Sequence, residues 1–127
     1  MTTKLVPPVY ALLRIGAAFV YLLHGLQKYG MFGGAVRPLA SLFGVAAVIE
    51  VVAGTLILTG LFTRQAAFVA SGQMAAAYFI AHIPRGFLPI QNGGDPAVLL
   101  CFIFLFVCVN GPGVWSLDAL RRGSSRS

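Results

Sequence analysis

Residues 45–64 constrain this chain more than any other stretch. They read Val-Ala-Ala-Val-Ile-Glu-Val-Val-Ala-Gly-Thr-Leu-Ile-Leu-Thr-Gly-Leu-Phe-Thr-Arg. The run is apolar and long enough to cross a bilayer, which takes about 20 residues. Yet it carries a carboxylate, Glu50, in its interior. A charge at bilayer depth costs ~2.5–3.5 kcal/mol or more. Glu50 therefore requires a buried partner or a chemical task. The run then stops at Gly60-Leu61-Phe62-Thr63-Arg64.

The rest of the chain has the same character. It holds nine Lys/Arg and three Asp/Glu in 127 residues, and 58% of it is apolar. A soluble domain carries about 25% charged residues, so too little charge is present to cover a water-facing surface. Roughly four apolar runs with short connections predict an all-α fold: a four-transmembrane-helix bundle, one membrane domain over residues 1–127. The helices are expected at about 8–28, 38–60, 64–83 and 96–110, with a basic, mobile tail at 119–127. The net charge of +6 does not point to nucleic acid, because the basic residues stand singly at helix ends and form no continuous patch.

Local signals place the helix ends. Pro7-Pro8 suits a first helical turn, where an amide donor is dispensable. Arg14 within the run, and the lack of a clean small-x-small site, argue against a cleaved signal peptide. Tyr29 to Gly34 breaks the first helix, and the second starts near Pro38 or Ser41. Pro84, Gly86 and Pro89 break the third; Asp95-Pro96 reads as an acidic cap and proline that start the fourth, which ends at Gly111-Pro112-Gly113. Trp115 suits the aromatic belt of a membrane interface. Four helices put both termini on one side. Lys4, Arg64, Arg121, Arg122 and Arg126 fall there, against Lys28, Arg37 and Arg85 on the other. That bias places both termini in the cytoplasm.

Two polar groups are candidate sites. At 1.5 Å per residue, Arg14 lies about 9 Å in from the cytoplasmic end, Glu50 about 15 Å and Gln73 about 13 Å. They are expected to meet in one buried layer, as a register-fixing brace or as a site for protons or a polar headgroup. The second group lies toward the outer face: His24, Gln27, Lys28, His82, Asn92 and Asp95. The histidines read as interfacial hydrogen-bonders, Asp95 also as a plain helix cap, and Tyr21 and Tyr78 as packing residues. No His-x-x-x-His or Glu-x-x-His pair supports a metal centre, so no metal site is expected. Cys101 and Cys108 are too far apart on one helix to pair and read as small apolar residues. Ala67, Ser71 and Ala75, with Gly72 and Ala76, permit close helix approach and a further face for a partner. The loop Gly86 to Gly94 is apolar enough to dip into the membrane surface or to lid the bundle.

The pattern Arg14…Gly16…His24-Gly25-Leu26-Gln27-Lys28, Glu50-Val51-Val52-Ala53-Gly54…Gly60-Leu61-Phe62-Thr63-Arg64, Met74…His82, Asn92-Gly93-Gly94-Asp95…Gly111-Pro112-Gly113…Ser116-Leu117-Asp118 resembles the DoxX family, in order and spacing, from about Leu12 to Asp118. The resemblance implies a four-helix, multi-pass protein of the bacterial or archaeal plasma (inner) membrane. Family members are tied to quinone-linked sulfur oxidation beside a second membrane subunit, or to oxidative-stress complexes. The family's polar positions fall on Arg14, His24, Lys28, Glu50, Arg64, His82 and Asn92-Gly93-Gly94. Where the family commonly has Glu after the paired glycines, this chain has Asp95. The leading expectation is a redox-associated membrane subunit that binds a quinone. Glu50 with His24 or His82 would exchange protons there, and Arg14, Glu50, Gln73, Lys28, Asn92 and Asp95 would supply the polar layers. It would work with another membrane or peripheral redox protein, because no flavin, haem or metal motif is present to carry electrons. The alternatives are a non-catalytic assembly module, and a small solute or proton carrier that would need a homo-oligomer.

Overall fold

The computed structural model describes residues 2–27 and 42–126. Lys28, Arg37, the break at 29–34 and the expected start of the second helix lie outside the described residues. Every element among the described residues is helical. In chain order these are α1 (Val6–Gln27), α2 (Leu42–Thr59), α3 (Thr63–Ala77), the single turn α4 (Pro89–Asn92), α5 (Asp95–Asn110) and α6 (Leu117–Arg126). A π-helical turn (Tyr78–His82) and a 3-10 turn (Ile83–Arg85) extend α3. Two continuous helical runs, Val6–Gln27 and Thr63–Arg85, are long and apolar enough to cross a membrane. Gly44–Thr59 and Asp95–Asn110 are shorter apolar helices.

The long helices pack α1 on α2, α2 on α3, and α3 on α5, with α1 and α5 also in contact. Small residues set the closest approaches. A Cβ on Gly25 would lie 2.9 Å from the Cβ of Glu50, and one on Gly54 would lie 3.3 Å from the Leu22 backbone. These two glycines let α1 and α2 touch at backbone distance, as membrane helices do in the absence of a hydrophobic drive between them. On α3 the small residues Ala66, Ala67, Ala70 and Ser71 are buried, and Ser71 donates to the Cys101 carbonyl of α5 at 2.8 Å. The Ala67–Ser71 part of the face read as available to a partner is therefore covered by α5 of the same chain. The core is completed by Tyr21 edge-on to Phe104, ring centroids 5.0 Å apart, and by Ile57, Leu100 and Val107.

Helix ends at one pole are tied together by side chains. α2 closes in a Schellman motif: Leu61 N–H donates to Leu56 O at 2.9 Å, Gly60 N–H to Ile57 O at 3.1 Å, and Gly60 has φ +75°. A Cβ on Gly60 would sit 2.2 Å from the Ser116 Cβ, so no other residue fits that turn. Asp118 accepts from the Phe62 and Thr63 amides, each at 3.0 Å, and so caps α3 from a remote part of the chain. Burial by itself raises the Asp118 carboxyl, but the Thr63 and Phe62 amides and the nearby Arg121 outweigh it and hold the group below the usual carboxylate range. Arg64 donates to the Cys108 and Val109 carbonyls at 3.1 and 2.7 Å, closing the end of α5. α6 takes in residues 119–126 of the segment read as a basic tail, and Asp118, just before that segment, supplies the α3 cap.

Candidate functional site

Arg14 and Glu50 are both fully buried, but they do not share a layer. A helical side chain leans toward its helix's N-terminus. The long Arg14 side chain therefore runs back toward the start of α1, away from Glu50. It donates from Nε to Ile57 O at 3.1 Å, from Nη1 to the Pro112 and Val114 carbonyls, and from Nη2 to Trp115 O at 2.8 Å. Four carbonyls clasped by one guanidinium tie α1 to the end of α2 and to the turn before α6. Arg14 is a structural clasp, and the expected Arg14–Glu50–Gln73 layer is corrected accordingly.

Tyr21 takes the place expected for Arg14. Its hydroxyl donates to Gln73 Oε1 at 2.9 Å, and Gln73 Nε2 donates to Glu50 Oε1 at 3.1 Å. With Nε2 turned to Glu50, the amide oxygen faces Tyr21, and because that oxygen can only accept, the hydroxyl is the donor. Three helices thus contribute to one directed chain, Tyr21 to Gln73 to Glu50. Reading Tyr21 as a packing residue missed this role. The signal was in the spacing: Tyr10, Arg14, Ala17, Ala18, Tyr21 and Gly25 form the buried stripe of α1.

Glu50 and Gln73 border a cavity of about 1060 Å³. Its further polar lining is His24, Gln27, His82 and Arg85, and its walls include Ile49, Met74, Ala97 and Leu100. The structure therefore brings His24 and His82, Glu50 and Gln73 to one space, although sequence depth assigned them to two separate groups. A mostly apolar hollow with a few convergent polar groups is the usual form of a small-molecule site. Among its lining residues Val45 of α2, Val69 of α3 and Ile80 of the π-helical turn are about half exposed.

The π-helical turn aims His82. Such turns insert one residue into a helix and are frequent at functional sites. His82 Nδ1 lies 3.2 Å from the Asn92 carbonyl oxygen. That oxygen can only accept, so Nδ1 carries the proton. In the neutral ring Nε2 is then left as the acceptor. Asn92 itself is 2% exposed and organises the loop between α3 and α5. Its Nδ2 donates to Gly86 O at 2.7 Å and to the Tyr78 hydroxyl at 3.2 Å; its Oδ1 accepts from the Gly94 amide at 2.8 Å. Tyr78 in turn donates to Phe87 O at 2.6 Å. A Cβ on Gly94 would lie 2.8 Å from both Asn92 Oδ1 and the Tyr78 ring, which is the reason glycine stands there. The Asn92 amide thus holds the loop, and Asn92 acts on the cavity through His82.

The other candidates lie elsewhere. Asp95 is exposed in the first turn of α5, where it makes no cap hydrogen bond; Gly94 occupies the cap position. Asp95 borders a smaller apolar groove between α1 and α5. Among the described residues no three His, Cys, Asp or Glu side chains gather as a metal would need. Lys28 lies outside the described residues. Gln27 and Arg85 join the cavity, Arg85 having been read only as a topology charge.

Comparison with known proteins fits this arrangement. The DoxX family profile matches residues 9–83, which include Glu50, Gln73 and both histidines. The chain is 42% identical over 120 residues to an uncharacterized protein of Haemophilus influenzae, covering 88% of this chain and 90% of that one. It is 34% identical over 142 aligned residues to an uncharacterized membrane protein of Mycobacterium tuberculosis, covering 95% of this chain and 85% of that one. No solved structure matches. The profile and both relatives span most of the helical core, and on that ground the chain belongs to the DoxX family of membrane proteins.

Proposed function

We propose that this DoxX-family protein is a quinone-binding membrane subunit that works beside a redox partner, with α1, α2, α3 and α5 each crossing the plasma membrane and both termini cytoplasmic. The observation that carries the reading is the Tyr21–Gln73–Glu50 chain at the wall of a cavity lined in part by half-exposed apolar residues of α2 and α3. A quinone has a flat polar head and an apolar tail and travels within the bilayer. The half-exposed Val45, Val69 and Ile80 offer it an apolar approach at membrane depth. The volume suits a substituted ring with part of its tail.

The chain's own groups would do three things. Gln73, oriented by Tyr21, offers its second amide hydrogen to a ring oxygen. Glu50, which accepts from Gln73 at 3.1 Å, would place a carboxyl group beside that oxygen to hold or accept a proton. His82, with Nδ1–H committed to the Asn92 carbonyl, accepts or relays a proton through Nε2. The quinone supplies two-electron chemistry when bound, and a partner supplies or takes the electrons.

The test is extraction of bound small molecules from the protein purified gently in native lipid, with identification by mass spectrometry and an oxidised-minus-reduced spectrum. A stoichiometric quinone in the wild type that is lost in Glu50→Gln and Gln73→Leu supports the reading. An empty, colourless protein that retains a stoichiometric membrane partner overturns it in favour of an assembly module.

A further inference from the structure

The pole formed by the α2–α3 turn and the start of α6 carries an unusual combination. Among the described residues, two that are not glycine have positive φ, Phe62 at 48° and Trp115 at 58°. Both are aromatic, and both are largely exposed, Phe62 at 49% and Trp115 at 62%. Left-handed backbone is unfavourable for a side chain with a Cβ and persists only where the surroundings impose it. Here they do. Asp118 accepts the Phe62 amide at 3.0 Å, and the buried Arg14 donates to the Trp115 carbonyl at 2.8 Å. The fold thus uses a buried arginine and a remote carboxylate to hold two large aromatics outward, which has no benefit in water.

The same pole is apolar and basic. Leu117 and Leu120, three apart on α6, are 42% and 70% exposed. Arg121 is exposed and lies 5.0 Å from the centroid of the Phe62 ring. The sequence of α6 adds Arg122 and Arg126, and exposed Lys4 precedes α1. Its first turn is clipped to the α2–α3 turn through Asp118, whose amide also donates to Gly60 O at 2.9 Å. That turn begins the Thr63–Arg85 run, so α6 sits where a spanning helix leaves the membrane.

We infer that Phe62, Trp115 and the amphipathic helix α6 form an interfacial platform that binds the anionic phospholipid headgroups of its own leaflet. The aromatics and leucines enter the boundary between headgroups and acyl chains, and the arginines pair with lipid phosphates. The occupant follows from charge complementarity and from the junction with a spanning helix. The inference rests on α1 and α3 crossing the membrane and not on what fills the cavity.

Trp115 is the single tryptophan of the chain and reports on itself. The full-length protein is reconstituted into phosphatidylcholine vesicles with or without phosphatidylglycerol. Emission is followed with acrylamide in the water and with lipids brominated near or far from the headgroup. The expected result is quenching by the near-headgroup bromines above the far ones. Protection from acrylamide should rise when phosphatidylglycerol is present and be lost at high salt. Arg122→Gln, which removes one charge and leaves the Arg121–Asp118 pair in place, should weaken the anionic-lipid effect about fivefold. Acrylamide access that is the same in both vesicles, or near-headgroup bromines that quench no better than far ones, overturns the inference. So does protection that requires a co-purified protein. None of these outcomes depends on whether a quinone is found.

Discussion

Replacing Arg14 with methionine, alone and together with Glu50→Gln, distinguishes a clasp from a brace. Arg14→Met keeps much of the side-chain volume and removes the guanidinium. Of its four carbonyl acceptors, Ile57 O keeps the Gly60 amide at 3.1 Å, while those of Pro112, Val114 and Trp115 lose this donor. At ~1 kcal/mol or more for each acceptor stranded on folding, the loss is ~3 kcal/mol. Part of it is offset because a charge no longer has to be buried. Glu50 lies seven residues from Ile57 on the same helix, roughly 10 Å along the axis. At that separation, with no partner shared, the effects of Arg14→Met and Glu50→Gln should add to within ~0.5 kcal/mol. The assay is reversible unfolding in mixed detergent micelles for the wild type, both single variants and the double variant. Limited proteolysis runs alongside, since Arg14→Met should expose residues 111–126 to cleavage while Glu50→Gln should not. A coupling of ~1 kcal/mol or more between the two positions would refute the reasoning and restore a direct Arg14–Glu50 interaction.

The remaining predictions concern the cap, the turn, the loop and the site. Asp118→Asn should destabilise by ~1 kcal/mol through the weakened α3 cap. Because the Asp118 carboxyl titrates below its unfolded value, its contribution is complete above the ordinary carboxylate range. It fades as pH falls through the lower folded value, so the wild type should lose stability on acidification that Asp118→Asn does not; parallel pH curves would contradict this. Gly60→Ala, with its Cβ set 2.2 Å from that of Ser116 at φ +75°, should lower the unfolding midpoint more than Gly72→Ala, whose Cβ meets nothing within 4 Å. Gly94→Ala should displace the Asn92 amide and disorder the His82 contact, seen as faster amide hydrogen exchange over residues 83–94 with α1 unchanged. Tyr21→Phe should cost only ~0.5–1.5 kcal/mol in stability yet loosen the Gln73 amide. Quinone retention should then fall while the protein stays folded, and full retention would remove Tyr21 from the site.

Much of the candidate site was legible one residue at a time. Glu50 stands out because a carboxylate in an apolar run must have a reason, and Gln73, His24 and His82 follow from the same logic. Their grouping was not legible. Axial depth is computed from residue number, but a contact also depends on the direction in which the side chain leaves the helix. Arg14 has a side chain long enough for that direction to dominate, and it reaches the pole behind it instead of the layer ahead. Tyr21 was hidden for the opposite reason: a tyrosine in an apolar stripe looks like packing until its hydroxyl is seen to meet an amide from another helix.

Apolar run length, scarce charge and glycine-proline punctuation already determine an all-helical membrane chain, since these are local quantities that backbone hydrogen bonding in a bilayer converts directly into helices. Which polar groups share a space is a property of rotation about each helix axis and of how closely two helices approach. Gly25 against Glu50 and Gly54 against Leu22 set that approach between α1 and α2, and the π-helical turn resets the rotation of His82. The clasp of Arg14, the remote cap of Asp118 and the outward hold on Trp115 join positions 43 to 101 residues apart. Only packing the helices brings such positions together, because no local preference acts over that length of chain.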